Sequence, residues 1–442
     1  MSVAAPTAGS EQGKREARRR SNAELRLLIL ALTTILIAYT LVGLAELETI
    51  PAGLGVYVGA MAALAVTAHL VSRRLAPGAD PILLPTAFLL NGLGLVMVRR
   101  LDFARDVTLA PAQTLWTVVA IGAFCATLLF LRDHGALDRY RYLIGIGALI
   151  LLMLPLLPVI GVEVNGARIW VRLGSLRFQP GEFAKLALVA FFASYLAEKR
   201  ALLTVATNRL GPVPVPPARA FGPVILAWGV SLSVLVFQND LGVSLLIFSL
   251  FIAMLYVSTG RAAYVIIAGL LFSAGAFAAW TLLGHVQRRV TAWLSPFEDP
   301  EGAGFQIVQS LYALAAGGIT GVGWGHGRAP DLIPAVETDF IFAAFGEELG
   351  LLGTTALLLC FMVLVSRGFH TALRARDDFS TLLATGVTVV LGLQVFIILG
   401  GVTRLIPLTG LTLPFISYGG SSLVANYVLV ALLLRISSAN RS

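Results

Sequence analysis

Charge is scarce in this 442-residue chain: Asp, Glu, Lys and Arg make up only 13% of it, against about 25% in soluble domains. That scarcity excludes an ordinary soluble globular enzyme. Cysteine is nearly absent. Cys125 and Cys360 both lie inside apolar runs, with no Cys-x-x-Cys spacing, so neither a disulfide framework nor a zinc site is indicated. The five histidines, His69, His134, His285, His326 and His370, are scattered. There is no His-Glu-x-x-His, no Walker loop and no Gly-x-Ser-x-Gly, so the usual signatures of metalloproteases, P-loop nucleotide hydrolases and serine hydrolases are missing. No period of 20–50 residues repeats, which argues against a solenoid, and no inverted repeat of the transporter kind is visible.

What fills the chain instead is apolar. Hydrophobic residues make up 57% and mean hydropathy is +0.85. The apolar residues form long unbroken runs rather than alternating strands, which selects membrane helices over a barrel. Twelve runs are long enough to span: 27–45, 51–70, 81–98, 110–131, 142–161, 179–197, 220–237, 241–258, 262–284, 341–365, 379–403 and 412–434. Ten hold no Asp, Glu, Lys or Arg. The sixth holds Glu182 and Lys185, and the tenth Glu347 and Glu348. The fold class expected is therefore an all-α polytopic membrane protein of about twelve transmembrane helices.

Orientation follows from the basic residues. With the N-terminus in the cytosol, inside segments hold 21 Lys and Arg, outside segments 10, and Lys185 lies in a span. Both termini are then cytosolic. The net charge of +8 thus reads as topology, and no nucleic-acid partner is expected. Residues 1–24, with Lys14, Arg15 and Arg18 to Arg20, read as a disordered basic cytosolic tail. They are not a secretory signal, because the apolar run that follows is too long.

The outside basic residues gather in two loops, 162–178 and 285–340. The second is the longest loop in the chain, and Trp293, Phe297, Phe305, Tyr312 and Trp324 mark it as ordered. Residues 305–315 read as a short helix lying on the membrane surface.

Several residues are candidates for chemistry. Glu182 and Lys185, three apart, share a helix face near the outer end of their span. They are either an ion pair that fixes packing or part of a polar pocket opening outward. Asp240, in QND, is either a helix cap or a further outer carboxylate. Glu337, Asp339, Glu347 and Glu348 cluster at the outer start of the tenth span, where Thr338 or Asp339 is placed to cap it. Arg168 and Arg172 flank Trp170, and Arg288 and Arg289 precede the second loop. Outer arginines suit a phosphate or diphosphate, or else pair with the outer carboxylates. Asp299, in SPFEDPEGAG, sits in a turn where a carboxylate suits a general base toward a hydroxyl. Taken alone, such a residue is far more often a solvated loop acid.

These segments resemble the SEDS family (shape, elongation, division and sporulation). The most specific match is LPFISYGGSS at 413–422. With it, in the family's order, stand NGARIWVRLGSLRFQPGEFAKLA (165–187), QNDLG (238–242), SPFEDPEGAGFQIVQS (295–310) and ETDFIFAAFGEELG (337–350). The resemblance covers about 80–440, and PLTGLTLPF places it nearer the RodA branch than the FtsW branch. It implies a ten-helix core over 79–437 with the large outer loop 285–340. Two extra N-terminal helices lie within 25–78, and 438–442 form a short cytosolic tail.

The resemblance also implies a peptidoglycan glycosyltransferase of the bacterial plasma membrane, active on the outer face, which polymerises lipid II for cell elongation and shape. Asp299 falls on the family's essential outer-loop aspartate. Arg168 and Trp170 match the first outer motif, although Ile169 stands where a second basic residue is common. Glu182 and Lys185 match the polar pocket, Ser421 and Ser422 the last outer motif, and Arg288, Gln306, Asp339 and Glu348 fall in the remaining matched segments. The partner implied is a class B penicillin-binding protein, a transpeptidase with one transmembrane helix. No tightly bound cofactor is implied; a divalent cation, Mg or Mn, is compatible with diphosphate chemistry. Three rival readings stay open at the level of sequence: an FtsW-like septal polymerase, a flippase for the same lipid, and a non-catalytic scaffold.

Overall fold

The computed structural model describes residues 8–51, 53–164, 166–174, 176–204, 208–210, 213–215 and 222–441. Each of the twelve apolar runs contains a helix: α1 (Ala8–Leu47), α2 (Leu54–Leu75), α3 (Leu83–Arg105), α4 (Ala110–Phe130), α6 (Arg141–Met153), α7 (Pro180–Thr204), α8 (Gly222–Gln238), α9 (Leu241–Thr259), α10 (Ala262–Leu282), α14 (Ile341–Leu373), α15 (Asp378–Val402) and α16 (Gly420–Ala439). Among the described residues there are also four short α-helices, α5 (Gly135–Arg139), α11 (Gly284–Leu294), α12 (Phe305–Gly317) and α13 (Ala329–Leu332), and a 3-10 turn at Leu154–Leu156. Among the described residues nine helices are long and apolar enough to cross a membrane: α1 to α4, α9, α10 and α14 to α16. Of the other three runs, α6 and α8 are shorter, and α7 carries Glu182 and Lys185 in its first turns. The chain is a multi-pass membrane protein of helices, as a lipid solvent demands: each helix satisfies its own backbone hydrogen bonds.

Helices α3, α15 and α16 are the most deeply enclosed. One end of the bundle, here the loop end, carries the α3–α4 turn, the segment 161–178, the loop 284–340 and the segment 403–419.

Three features depart from the sequence expectations. The tail expected to be disordered is helical from Ala8, because α1 continues through it. Arg20 Nη1 donates to Gly78 O at 2.9 Å, and the fully buried Glu24 pairs with His69 at 2.7 Å and with Arg73. These contacts hold the stretch from Arg20 to Glu24 against α2 and the turn that follows it. Second, the all-α reading omits two small antiparallel sheets. Strands β1 (Gly161–Val164), β2 (Ala167–Leu173) and β3 (Leu176–Phe178) pair in that order, with Val162 opposite Trp170. Strands β4 (Asn208–Leu210) and β5 (Val213–Val215) form the other sheet. Third, α14 is broken at Gly350, where φ is 65° and ψ is −164°. The amides freed there are taken by the loop: Leu351 N donates to Gly318 O at 2.9 Å and Leu352 N to Ile319 O at 3.0 Å. A side chain at Gly350 would run into the backbone of Ile319 and Gly321.

Loop 285–340 is ordered, as its aromatics suggest. Helix α12 occupies the expected place, but its buried face, with Ile307, Val308 and Ala313, packs against α14.

Candidate functional site

Helix α7 starts at Pro180, whose fixed φ suits a first helical position. Glu182 follows in the first turn, where the helix dipole favours a negative charge. Lys185, one turn on, brings Nζ to 2.8 Å from Glu182 Oε2. Both residues are 2% exposed, so this is a desolvated pair. Lys185 Nζ also donates to Gln394 Oε1 on α15 at 3.1 Å, and Gln394 Nε2 donates to Thr412 O at 2.9 Å. Thr412 Oγ1 donates to Ser422 Oγ at 2.8 Å, and Asn426 Nδ2 donates to the same hydroxyl at 3.2 Å. Ser421 Oγ accepts from Gln179 N at 3.0 Å. One polar chain thus links α7, α15, the segment before α16 and α16 itself. Glu182 Oε2 is buried without a hydrogen bond, despite its ion pair.

A second charged group adjoins the first. Asp240 caps α9, accepting from Val243 N at 2.9 Å. Burial holds its carboxyl above the ordinary range, against the pull of Arg289, and the charge of Glu182 pushes in the same direction as burial. Arg289 Nη1 donates to Leu408 O at 3.2 Å and Thr409 O at 2.9 Å. Asp339 is half-buried beside the same guanidinium, and burial pushes its carboxyl up to about 6. Arg404, at φ 61°, secures the end of α11: its Nε donates to Trp293 O at 2.8 Å, and Trp293 Nε1 donates back to Arg404 O at 3.1 Å. Helix α11 is thereby seated on the segment 403–419.

Asp299 lies in the turn between α11 and α12. Its side chain is exposed, and Oδ2 accepts from Ala303 N at 2.8 Å. Its carbonyl accepts from Gly302 N at 3.3 Å and Gly304 N at 3.0 Å. A Cβ at Gly302 would run into the Asp299 carboxylate, so the turn admits that carboxylate because glycine stands there. Among the described residues Ala303 N–H is the one hydrogen-bond partner of this carboxylate, which leaves Oδ1 facing solvent.

The structure brings Glu182, Lys185, Ser421 and Ser422 together at the starts of α7 and α16 and sets Asp339 beside Arg289 and Asp240, while Asp299 shares no hydrogen bond or ion pair with them among the described residues. Glu348 is fully buried and bonded to Arg100 at 3.0 Å, so it belongs to a bridge between α3 and α14 rather than to the polar pocket. Glu347 accepts from Ala329 N at 2.6 Å. Glu337 pairs with Arg105 at 3.1 Å. Neither Thr338 nor Asp339 caps α14, whose N-cap is Phe340 with no side-chain bond. Arg168 pairs with Glu163 at 3.0 Å on the exposed sheet, while Trp170 is half-buried on β2. Arg172 stands directly opposite Arg177, both exposed. Gln306 Nε2 donates to Pro334 O at 3.0 Å.

Arg288 is exposed, and its neighbour Arg289 is the arginine that turns inward. The helical period holds the signal for this: Arg289 falls on one face with Val286 and Trp293, and Arg288 does not. Gln394 and Thr412 were also missed. Gln394 is a polar residue within the apolar run 379–403, a kind of position that deserves suspicion in a span. Among the described residues no group of three or more His, Cys, Asp or Glu is arranged to hold a metal ion.

Comparison with known proteins gives concordant results. The family model described as a cell cycle protein, FtsW/RodA/SpoVE, matches residues 81–442. The peptidoglycan glycosyltransferase RodA of Mycobacterium tuberculosis (strain ATCC 25618 / H37Rv) is 48% identical over 429 residues, covering 96% of this chain and 91% of that protein. Stage V sporulation protein E of Bacillus subtilis (strain 168) is 37% identical over 368 residues, covering 82% and 98%. Among solved structures, a chain from a study of polymerization and crosslinking by a peptidoglycan synthase complex has a TM-score of 0.64 at 28% identity, covering 82% of this chain and 98% of that one. The rod shape determining protein RodA of Thermus thermophilus has a TM-score of 0.58 at 26% identity, with coverage of 82% and 98%.

Proposed function

The chain belongs to the FtsW/RodA/SpoVE family, and we propose that it is a peptidoglycan glycosyltransferase of the RodA kind, which polymerises lipid II into glycan strands on the outer face of the plasma membrane. The observation that carries the reading is the placing of charge beside grease at the loop end. An apolar cleft of about 420 Å³ runs between α8, α9, α10 and α15 and reaches Leu241, Val290 and Thr409. Those residues adjoin Asp240 and Arg289, and Thr409 O is bonded to Arg289. The layout suits a substrate with a polyprenyl chain and a diphosphate head.

In this reading the hydroxyl of the acceptor sugar attacks the anomeric carbon of the donor. A new C–O bond forms, the anomeric C–O bond to phosphate breaks, and the polyprenyl diphosphate leaves with that bonding pair. Asp299 takes the hydroxyl proton as general base; it is exposed and fixed at one oxygen, which leaves the other free for the transfer. Lys185 and Arg289 offset the negative charge that builds on the leaving diphosphate. The exposed Arg172 and Arg177, opposed across the sheet, suit an anionic headgroup, since like charges so placed repel without a counter-ion. No step is routed through a divalent cation. A class B penicillin-binding protein is the partner proposed.

The test is a lipid II polymerisation gel with the purified protein and its co-expressed penicillin-binding protein, the latter's own chemistry blocked by a β-lactam. Wild type gives a glycan ladder and Asp299→Asn gives none. Equal ladders would move the base elsewhere. Absence of a ladder in both lanes, with the complex intact, would favour a flippase.

A further inference from the structure

The hairpin of α1 and α2 lies before the region matched by the family model, yet its loop end is tied into the machinery of the core. Glu46, next to the last residue of α1, places Oε1 2.8 Å from Arg100 Nη1. Arg100 is 4% exposed and divides its guanidinium three ways. Its Nε donates to Glu348 Oε1 at 3.0 Å and its Nη2 to Gly327 O at 2.9 Å. The other oxygen of Glu348 accepts from Gly325 N at 3.1 Å. One buried cation therefore joins the added hairpin, α3, the first half of α14 and the loop segment 317–329.

Apolar packing makes the same connection independently. Trp324 packs into the cluster built around the hairpin, which includes Tyr39, Val42 and Leu95. It also meets Phe345 of α14 edge-on, ring centroids 5.9 Å apart. Beside it the loop backbone is pressed against α1: a Cβ at Gly325, where φ is +81°, would come 2.5 Å from the Ala45 Cβ. Main-chain bonds complete the seam, with Val322 N donating to Glu347 O at 2.9 Å and Gly323 N to Glu348 O at 3.0 Å.

Segment 317–329 is the direct continuation of α12, and the Asp299 turn is the direct approach to it: Gly304 N, at the head of α12, bonds to Asp299 O. Thirteen helical residues make a rod of about 20 Å. What fixes one end of that rod fixes the aim of the other.

We propose that the N-terminal hairpin is a clamp on the outer loop, and that Glu46 is a positioning residue that acts through Arg100 and Glu348 on α12 and so on the Asp299 turn. The effect on catalysis rests on the glycosyltransferase reading; the clamp itself does not. Glu46→Gln keeps an acceptor oxygen but removes the negative charge, so a charge-assisted bond becomes a weaker amide one and the buried Arg100 is left with Glu348 as its one anionic partner among the described residues. The guanidinium then shifts, and with it the carbonyl of Gly327 and the carboxylate that holds Gly325.

The experiment compares wild type with Glu46→Gln and Glu46→Asp as full-length protein with its penicillin-binding protein. Hydrogen–deuterium exchange is read over 318–328 and glycan polymerisation is read for kcat and KM. In Glu46→Gln, exchange over 318–328 accelerates about tenfold while α15 and α16 stay protected. Its kcat falls about tenfold with KM for the lipid substrate unchanged, and Glu46→Asp restores both. Trp324→Leu, which loosens the same seam without unpairing a charge, reproduces the exchange result should Glu46→Gln fold poorly. Unchanged exchange in both variants overturns the clamp. Faster exchange with unchanged kcat overturns the positioning role. A wild type that makes no glycan rejects the glycosyltransferase reading alone, and the exchange arm still decides the clamp.

Discussion

The ammonium of Lys185 lies 2.8 Å from the carboxylate of Glu182, one turn earlier on the same helix, and both side chains are cut off from solvent. A buried pair of this kind is costly to break on one side and cheap to remove entirely.

That asymmetry separates packing from function. Lys185→Met leaves the Glu182 charge buried alone and costs about 3–5 kcal/mol of stability. The double variant Glu182→Gln/Lys185→Met regains most of it, as measured by chemical denaturation in detergent. On the proposed reading polymerisation stays lost in the double variant, because no ammonium remains there to offset charge on the leaving diphosphate. A double variant that polymerises at the wild-type rate would reduce the pair to scaffolding.

Asp299→Asn is expected to lower polymerisation by about 10²–10⁴-fold, the usual worth of a general base. Its melting temperature stays at the wild-type value, since the amide oxygen still accepts from Ala303 N and the side chain is exposed.

Gly302→Ala tests the same carboxylate without changing it. The added methyl group meets the Asp299 side chain, which has room to swing into solvent. The fold survives while polymerisation falls about 10-fold or more, through misplacement alone. Full activity in Gly302→Ala would argue that the position of Asp299 is unimportant.

Asp339 gives a pH dependence. Its carboxyl is raised to about 6 from 3.8, so the folded protein holds a proton there that the unfolded chain has lost between those values. Its contribution to stability therefore declines as pH rises through that window and is fully lost above it. Activity runs the other way. Ionised Asp339 supports Arg289, so the polymerisation rate rises with an apparent pKa near 6. Asp339→Asn removes that limb from the pH–rate profile.

The membrane helices were legible because long apolar runs, ten of the twelve without a charge, have no other use in a chain this poor in charge, although among the described residues nine helices are long and apolar enough to span. The Glu182–Lys185 pair was legible for the same reason: charge inside a span is rare, and a spacing of three fixes a shared face. What lay hidden depends on partners distant in sequence. Nothing near Glu348 announces that Arg100, 248 positions away, will claim it. The break at Gly350 was hidden because a single glycine in a span carries no local sign of a break, and the conformation is imposed by the crossing of Ile319 and Gly321. The sheet at 161–178 did have a local sign, an Asn165–Gly166 pair between alternating residues, which the search for apolar runs passes over.

The interruption of α14 bears on how the protein is made. A helix opened at Gly350 exposes amides that an apolar environment penalises by several kcal/mol each, and here residues 318 and 319 supply the missing acceptors. That stretch precedes α14 in the chain and is therefore synthesised first. The first half of α14 therefore reaches its final form by closing onto a loop that waits for it, so assembly of this end is a late, post-insertion event. Substitutions that delay the loop should show first as poor yield of folded protein during biogenesis, at temperatures where the finished molecule is stable.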